Sequence, residues 1–363
     1  MSGATGMSEK EAKERLDKLI AKARHCLYKP IQIAEILYRH RTERYIDLSN
    51  LESYRRVSNT WKADVAVRLL GRKPSLNSRY EDQLFDDAVM PPRILSTLGK
   101  INTTPDTPGI IEVYIYDRVG GNCLLIAEMA RRLESLNPRE FKWLSFIQYF
   151  EMEPRLRRSV DKVYETSVYA LFDTLTKYLK ATVSLSVSRD RLEILRDYEK
   201  FAKIVLGIDT HNLTISQPAR LFRLGVTNAA DARIDMWANF GPAVQVKHIT
   251  LDPTTAINIA TELRADKIVV VCKKVERQVI DAVMRQVGLD NRIRGFITEA
   301  DLTAWYDLSM STKYAATIGK DVLSALLKEF TFEFPLSKSS MIDAFFQERN
   351  YSREILKGIW ART

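Results

Sequence analysis

The stretch RIDMWANFGPAVQVKHI, residues 233–249, holds the most informative pattern in the sequence. Two apolar segments flank NFGP (239–242), a combination that ends a strand and reverses the chain. The pattern therefore predicts an antiparallel hairpin in which Asp235 lies roughly opposite Val246. Cross-strand neighbours in a hairpin are about 5 Å apart at Cβ, so this acid is expected close to the second strand.

The second strand of this hairpin carries two polar residues on one face. Gln245 and Lys247 are two positions apart, so their side chains share a face, while the alternate residues from Val244 to His248 take the other. The predicted pairing brings Asp235 to the same place. One carboxylate, one amide oxygen and one ammonium then converge on a single small site.

That combination of groups suits the hydrolysis of phosphodiesters with the help of a metal ion. The reaction places extra negative charge on the phosphorus oxygens, and Mg²⁺ stabilises this charge and lowers the pKa of an attacking water. Asp235 and the amide oxygen of Gln245 are ligands of the kind that Mg²⁺ prefers, and Lys247 is suited to holding the scissile phosphate. The arrangement resembles the PD-(D/E)XK nuclease site. Because Gln stands in place of the usual acid, another acid is expected nearby.

Glu165 is the first candidate for this missing acid. It lies in a predicted amphipathic helix, residues 159–180, on the apolar stripe that faces the core. A carboxylate is rarely buried without a partner or a metal. Two interpretations stay open: Glu165 is a metal ligand, or it pairs with an arginine at the edge of the apolar face. Asp231, close to the hairpin, is an alternative ligand.

The order of the surrounding elements favours the nuclease interpretation. Helix, three strands, helix and strand is the minimal core of this nuclease fold, and the run IVVVC suits a strand covered on both faces. The helix after that run is predicted to be apolar at Val275, Val279, Val283 and Val287 and to be capped by Gly288. The predicted elements are a helix at 159–180, a strand at 181–187, the hairpin, a helix at 252–264, a strand at 267–272, a helix at 274–288 and a strand at 294–298.

The predicted fold class is therefore α/β. It consists of a PD-(D/E)XK restriction-endonuclease-like core, a mixed sheet flanked by helices, with a mainly helical N-terminal domain. The predicted domains are a DNA-recognition region at 8–158, the nuclease core at 159–305 and C-terminal helices at 306–363 that pack on the core or form a dimer surface. Gly120-Gly121 is interpreted as a turn within the first of these.

Several segments resemble the HaeII-type restriction endonucleases. They are LYKPIQIAEILYRHR, IDLSNLESYRR, RLLGR, LFDDAVMPP, KVYE, GVTNAADARIDMWANFGPAVQVKH and DKIVVVCK, and the resemblance runs from about residue 27 to near the C-terminus. It implies a type II enzyme that uses Mg²⁺ to cut both strands of double-stranded DNA at a short palindrome in unmethylated foreign DNA. It also implies a GC-rich, RGCGCY-like target and a cognate DNA methyltransferase as functional partner.

A palindromic target predicts a homodimer, because a two-fold axis aligns two identical active sites with the two DNA strands. A tetramer stays open, and the sequence does not indicate which surface forms the dimer. Two other functions also stay open. One is a structure-specific repair nuclease of the same fold, and the other is a non-catalytic DNA-binding protein whose degenerate site is marked by Gln245.

The composition agrees with a protein that binds nucleic acid. The 363 residues carry 55 Lys and Arg against 46 Asp and Glu, a formal net charge of +9 and a pI near 9.3, although such moderate basicity is also common elsewhere. Three widely spaced cysteines form no disulfide framework or zinc spacing, which fits a reducing compartment. No signal peptide and no membrane-spanning apolar run are apparent, so we expect no membrane association and a bacterial cytoplasmic location.

The excess positive charge is concentrated between residues 39 and 79, where ten basic residues stand against four acidic ones. Lysine and arginine neutralise phosphates, and arginine also forks onto guanine in the major groove. For each of these residues, the alternative to a DNA contact is a position on an ordinary solvated helix face. Asn228, just before the hairpin, is a further candidate. The predicted DNA-binding residues are Arg55, Arg56, Lys62, Arg72, Lys73, Arg79 and Asn228.

Overall fold

A computed structural model of the chain describes residues 8–23, 27–43, 45–74, 83–224, 234–289, 291–334 and 338–361. The chain divides into two compact units. Unit 1 comprises residues 1–135, 148–160 and 330–363, and unit 2 comprises residues 136–147 and 161–329. Within the described residues, no helix is long and apolar enough to cross a bilayer.

The helices and strands are numbered along the chain. The helices are α1 (Glu9–Lys22), α2 (Tyr28–Glu43), α3 (Val57–Leu70), α4 (Pro92–Asn102), α5 (Ile110–Ser135), α6 (Trp143–Met152), α7 (Val160–Tyr178), α8 (Leu192–Asp197), α9 (Pro253–Glu262), α10 (Arg277–Gln286), α11 (Glu299–Ser309), α12 (Lys320–Glu333) and α13 (Ser339–Glu348). The strands are β1 (Thr182–Ser186), β2 (Thr214–Pro218), β3 (Leu221–Arg223), β4 (Met236–Ala238), β5 (Ala243–Leu251), β6 (Ile268–Val275) and β7 (Ile293–Thr298).

The described residues of unit 1 are helical, as the sequence predicts for residues 8–100. Ser8 caps α1 by accepting the Glu11 backbone N–H, and α5 is the central helix of the apolar core. The predicted turn at Gly120-Gly121 is wrong, because α5 continues through both glycines. A Cβ on Gly120 would lie 3.1 Å from the side chain of Ile342, so the glycine permits close packing rather than a turn.

A buried ion network ties unit 1 together around Glu112 of α5, whose side chain is fully buried. Its carboxylate accepts hydrogen bonds from Arg41 Nε at 2.9 Å and Arg41 Nη2 at 2.8 Å. Asn102 Nδ2 and the Tyr351 hydroxyl donate to the same carboxylate, each at 2.6 Å. The network therefore joins α2, α4, α5 and the segment after α13 through one charge.

Unit 2 contains a five-stranded mixed sheet in the order β3-β4-β5-β6-β7. The β3–β4 and β4–β5 pairs are antiparallel, and the β5–β6 and β6–β7 pairs are parallel. The predicted strand at IVVVC is confirmed as the first part of β6, where residues 268–272 are largely buried on both faces. Helices α9 and α10 form a common core with it, as expected for a strand in the middle of a covered parallel sheet.

The structure assigns a different first strand to the sheet than the sequence predicts. The segment 181–187 contains β1, but β1 pairs with β2 in a separate two-stranded ladder whose side chains are mostly exposed. The strand next to the hairpin is instead β3, only three residues long. The sequence could not separate the two, because β1 has the stronger apolar pattern and β3 is too short to show one.

The helix after β6 also differs in which face it buries. The residues of α10 that lie in the core are Ile280 and Met284, whereas Val279 is 46 % and Val287 48 % exposed. The valines of the predicted apolar stripe therefore do not form the buried face of α10, and the first of them, Val275, lies in β6. Gly288 follows the helix with a φ of 68°, as predicted. The predicted last strand is confirmed as β7.

Candidate active site

The predicted hairpin is present, with β4 and β5 joined across residues 239–242. Gly241 adopts a φ of 113° in the turn, a conformation that a residue with a side chain rarely adopts. The pairs are Met236 with Val244 and Trp237 with Ala243. Continuing this register places Asp235 opposite Gln245, one residue away from the predicted partner Val246.

Asp235 lies at the point where the pairing of β4 with β5 ends. Its Oδ2 atom accepts the backbone N–H of Val246 at 2.7 Å. Val246 lies on β5 just beyond the last residue that pairs with β4. The same oxygen accepts Gln245 Nε2 at 2.5 Å. The carboxylate is thereby fixed against β5, and the residues that the sequence brings together do meet here.

Two oxygens of this group remain open for a metal ion. Among the described residues, neither Asp235 Oδ1 nor Gln245 Oε1 accepts a hydrogen bond, and both belong to side chains that are already held in place. Carboxylate and amide oxygens are the ligands that Mg²⁺ takes, together with several retained waters. The donor set therefore fits a hard divalent ion, even though no cluster of three acidic, histidine or cysteine residues is present in the described ranges.

Lys247 is two residues beyond Gln245 on β5 and is partly exposed. Its ammonium makes no hydrogen bond or ion pair with the part of the chain that the structure describes, but its charge acts on Asp235. His248, next to it, packs its ring 4.7 Å from that of Tyr164 and is buried. Of these two neighbours, only Lys247 is available to an anionic ligand.

Glu165 is buried in α7 and has two cationic partners. Lys162 Nζ is 2.5 Å from Oε2, and Arg223 Nη1 is 3.2 Å from Oε1. Arg223, itself nearly fully buried, also contacts Glu329 at 2.9 Å. Glu165 therefore pairs with an arginine, as one of its two open interpretations predicts. To act as a metal ligand, it has to exchange Lys162 or Arg223 for the metal ion.

Sequence reasoning did not name Lys162 or Arg223. Lys162 precedes Glu165 by three residues in the same helix, a spacing at which charged side chains meet, so a signal was available. Arg223 lies in β3, which was not predicted as a strand, so the sequence contained no indication of its position.

Burial raises the pKa of both carboxyl groups above their ordinary values. For Asp235, removal from water is the dominant cause, opposed by the Val246 N–H, Lys247, Lys162 and Gln245. For Glu165, removal from water again dominates, Lys162 and Arg223 oppose it, and the charge of Asp235 adds to the increase. The two carboxylates are therefore electrostatically coupled, which a cation between them would relieve.

These raised pKa values predict how metal binding depends on pH. A metal needs the deprotonated carboxylates, and groups with raised pKa values take up protons at a higher pH than ordinary carboxyls. The affinity for Ca²⁺ or Mn²⁺, measured by calorimetric titration, is therefore expected to fall on acidification while exposed carboxyls are still ionised. In the Asp235→Asn/Glu165→Gln double variant, binding itself should be lost at every pH, because both proposed carboxylate ligands are gone. An affinity that stays constant down to the ordinary carboxyl range would contradict the assignment.

The same raised pKa values have a consequence for stability. The folded state binds these two protons more tightly than the unfolded state does, so each group favours folding more at low pH. This contribution is lost as the pH rises through the folded-state pKa values. A bound cation offsets this loss of stability at higher pH, because it stabilises the ionised carboxylates.

The predicted DNA-binding residues lie in unit 1, apart from Asn228. Lys62 is buried and donates to Asn59 Oδ1 at 2.8 Å and Gln32 Oε1 at 3.3 Å, so it is not accessible to a phosphate in this arrangement. Arg72 is partly buried and donates to the backbone oxygens of residues 332 and 333. Arg56 and Lys73 are exposed, and Arg55 lies 3.4 Å from Glu52 at the surface. Arg79, Asn228 and Asp231 lie outside the described residues.

Comparison with known proteins identifies the chain. The family model of the HaeII restriction endonuclease matches residues 12–351. The type II restriction enzyme HaeII of Haemophilus aegyptius is 40% identical over 344 residues, covering 95% of this chain and 97% of that protein. The type II restriction enzyme NgoBI of Neisseria gonorrhoeae is 39% identical over 346 residues, with the same coverage of both chains. No solved structure matches the chain.

The protein is a restriction endonuclease, a DNA-cleaving hydrolase of type II. More particularly, the chain belongs to the HaeII restriction endonuclease family over nearly its whole length. Enzymes of this class act on double-stranded DNA and generally use divalent metal ions.

Proposed function

We propose that this enzyme hydrolyses both strands of double-stranded DNA at a short palindromic site, with Mg²⁺ as cofactor, through a PD-(D/E)XK-type site. The observation that carries the proposal is a pair of oxygens, Asp235 Oδ1 and Gln245 Oε1, that accept no hydrogen bond from the described residues. Lys247, on the same strand as Gln245, has no partner among those residues either, and its charge acts on Asp235. The order α7, β3, β4, β5, α9, β6 supports it, since it matches the helix, three strands, helix and strand of that core once β1, α8 and β2, inserted between α7 and β3, are set aside.

Each residue has a distinct role in this proposal. Asp235 and Gln245 hold the metal through their oxygens, and the Val246 N–H keeps Asp235 oriented. Lys247 binds the scissile phosphate and orients the attacking water. Glu165 supplies a further ligand after it releases Lys162 or Arg223. When bound, Mg²⁺ lowers the pKa of water and stabilises charge on the phosphate oxygens.

Gln245 makes a specific prediction possible, because it stands where such sites carry an acid. In Gln245→Glu, a second carboxylate replaces the donor that lies 2.5 Å from Asp235. The metal-free variant should melt at a lower temperature, since two ionised carboxylates repel at this distance. Its apparent affinity for Mn²⁺ should rise about tenfold, because affinity follows the charge of the ligands.

Thermal melting with and without Mn²⁺ measures both effects, with Gln245→Met as the variant that removes the amide without adding charge. A metal-free melting temperature equal to that of the wild type, together with unchanged Mn²⁺ affinity, would argue against a metal ligand at this position.

The remaining parts of the proposal concern the target and partners. We propose a GC-rich, RGCGCY-like palindrome, action as a homodimer in the bacterial cytoplasm, and a cognate DNA methyltransferase that protects host DNA without a required complex. The relatives HaeII and NgoBI, both named type II restriction enzymes, support this part of the proposal. Residues 8–158 are proposed as the DNA-recognition region, with contacts from Arg55, Arg56, Lys73, Arg79 and Asn228; Arg72 joins them only if it releases its backbone partners.

Cleavage of long unmethylated DNA tests the proposal. The protein is incubated with the DNA in Mg²⁺ and, as a control, in EDTA, and the product ends are sequenced. Discrete bands that require Mg²⁺ and share one end sequence are the expected result. A smear would indicate a structure-specific repair nuclease, and DNA that stays intact under both conditions would indicate a non-catalytic DNA-binding protein.

A further inference from the structure

One helical segment of unit 2 exposes an unusual number of large apolar side chains. Residues 192–206 form α8, a helical turn at Glu199–Phe201 and a π-helical turn at Ala202–Leu206. Five of their side chains are mostly open to solvent, and we call them the apolar ridge. They are Ile194 (53 % exposed), Tyr198 (64 %), Phe201 (54 %), Ile204 (72 %) and Val205 (62 %).

The apolar ridge is not needed to hold its own segment in place. Leu195 and Ala202 face inward and form a small core with Ile208 and with residues of β2 and its neighbours. Ile194, Tyr198, Phe201 and Val205 follow one another at spacings of four, three and four residues, close to the helical repeat, with a kink at Tyr198 (φ −111°) and a π-helical turn at Ala202–Leu206. All four side chains are mostly exposed, so this second apolar face has no cover among the described residues of its own unit.

The area of the apolar ridge makes up the larger part of one side of a standard protein interface. Each side chain exposes about 100 Å², so the ridge exposes on the order of 500 Å² of apolar surface, near the upper end for a monomer. A standard interface covers about 800 Å² on each partner, and the ridge supplies more than half of this.

The charge of the segment favours a protein partner over DNA. Residues 189–206 carry five basic and four acidic side chains, so the flanks of the ridge are nearly neutral. A surface that follows the phosphate backbone needs a clear excess of lysine and arginine. Mixed charges around an apolar centre are typical of the rim of a protein interface.

The order of the residues along the ridge is symmetric. From its first to its last turn it reads aliphatic, aromatic, aromatic, aliphatic: Ile194, Tyr198, Phe201, Val205. A two-fold axis midway between Tyr198 and Phe201 pairs two such helices antiparallel, with Ile194 against Val205 and Tyr198 against Phe201 of the second copy. Such an isologous contact buries the same patch of both subunits.

We propose that the apolar ridge is the surface through which a second copy of this chain docks, as an antiparallel two-fold helix pair. The inference deepens the homodimer of the proposed function by assigning its interface. It is independent of cleavage, since it concerns a surface that contains none of the proposed catalytic residues.

Sedimentation of the full-length protein without DNA or metal tests the interface. The wild type is expected to sediment as a dimer at micromolar concentration, and the Tyr198→Glu/Phe201→Glu variant as a folded monomer with unchanged circular dichroism. Tyr45→Glu is the matched control, because Tyr45 is also 64 % exposed but lies in unit 1. A monomeric wild type, or a dimer that survives the double substitution, would overturn the proposal.

Cysteine cross-linking tests the antiparallel arrangement even if the charged variant misfolds. A mixture of Ile194→Cys and Val205→Cys proteins should cross-link with a short bis-maleimide, whereas Ile194→Cys alone should not. In the proposed pair, the two copies of position 194 are about 16 Å apart along the helix axis. Wild-type protein controls for the native cysteines. Cross-linking of Ile194→Cys with itself, or no cross-linking in the mixture, would contradict the proposed axis.

Discussion

Replacing Lys247 by alanine is expected to abolish DNA cleavage while leaving the fold intact. Lys247 is partly exposed and makes no hydrogen bond or ion pair within the described residues, so its removal breaks no polar contact that they make. Its proposed role is to stabilise charge on the phosphate during the reaction, and removing such a group costs about a thousandfold in rate. Asp235→Asn should have a similar effect, because it removes the charge that holds the metal.

Single-turnover cleavage rates and melting temperatures separate catalysis from folding in this experiment. Lys274→Ala is the control, since it removes an equal charge from an exposed position on the neighbouring strand β6. We expect cleavage to be lost in Lys247→Ala and kept in Lys274→Ala, and the two variants to have similar melting temperatures. A Lys247→Ala protein that cuts at the wild-type rate would remove this residue from the mechanism.

Of the substitutions described, the replacement of Glu112 by alanine is expected to cause the largest loss of folding stability. Glu112 is fully buried and accepts hydrogen bonds from Arg41, Asn102 and Tyr351. The substitution leaves the Arg41 guanidinium without its buried partner, and breaking a buried pair in this way costs about 3–5 kcal/mol. The midpoint of urea denaturation, followed by circular dichroism, measures the effect.

Glu348→Ala is the comparison for this prediction. Glu348 also pairs with an arginine, Arg68, but at the surface, where such pairs contribute little. The urea midpoint should therefore change little in this variant and strongly in Glu112→Ala. Equal midpoints in the two variants would mean that the buried network is not a main source of stability in unit 1.

The parts of the fold that the sequence predicted are those with strong local signals. The hairpin followed from NFGP between two apolar segments, and β6 followed from an unbroken apolar run. The segment 181–187 shows the limit of such reasoning. Its apolar residues correctly indicated a strand, but strand partners are set by tertiary contacts, and β1 pairs outside the main sheet.

The predicted site shows the same division. The meeting of Asp235 and Gln245 follows from hairpin geometry, and it is observed with a shift of one residue in the register. The partners of Glu165 could be predicted only in part, since Lys162 is local but Arg223 comes from a strand with no pattern of its own. Lys62 was predicted from charge alone, and charge does not reveal that Asn59 and Gln32 hold it inside the helical unit.

The position of a bound metal ion decides whether Asp235 and Gln245 form the metal site. Crystals of the Lys247→Ala variant, grown with Mn²⁺ and the DNA duplex that the cleavage experiment identifies, would give an anomalous diffraction signal from the metal. We expect an anomalous peak about 2.2 Å from Asp235 Oδ1, with Gln245 Oε1 as a second ligand of the metal. A fully occupied Mn²⁺ site elsewhere against the DNA, with none at Asp235, would contradict it.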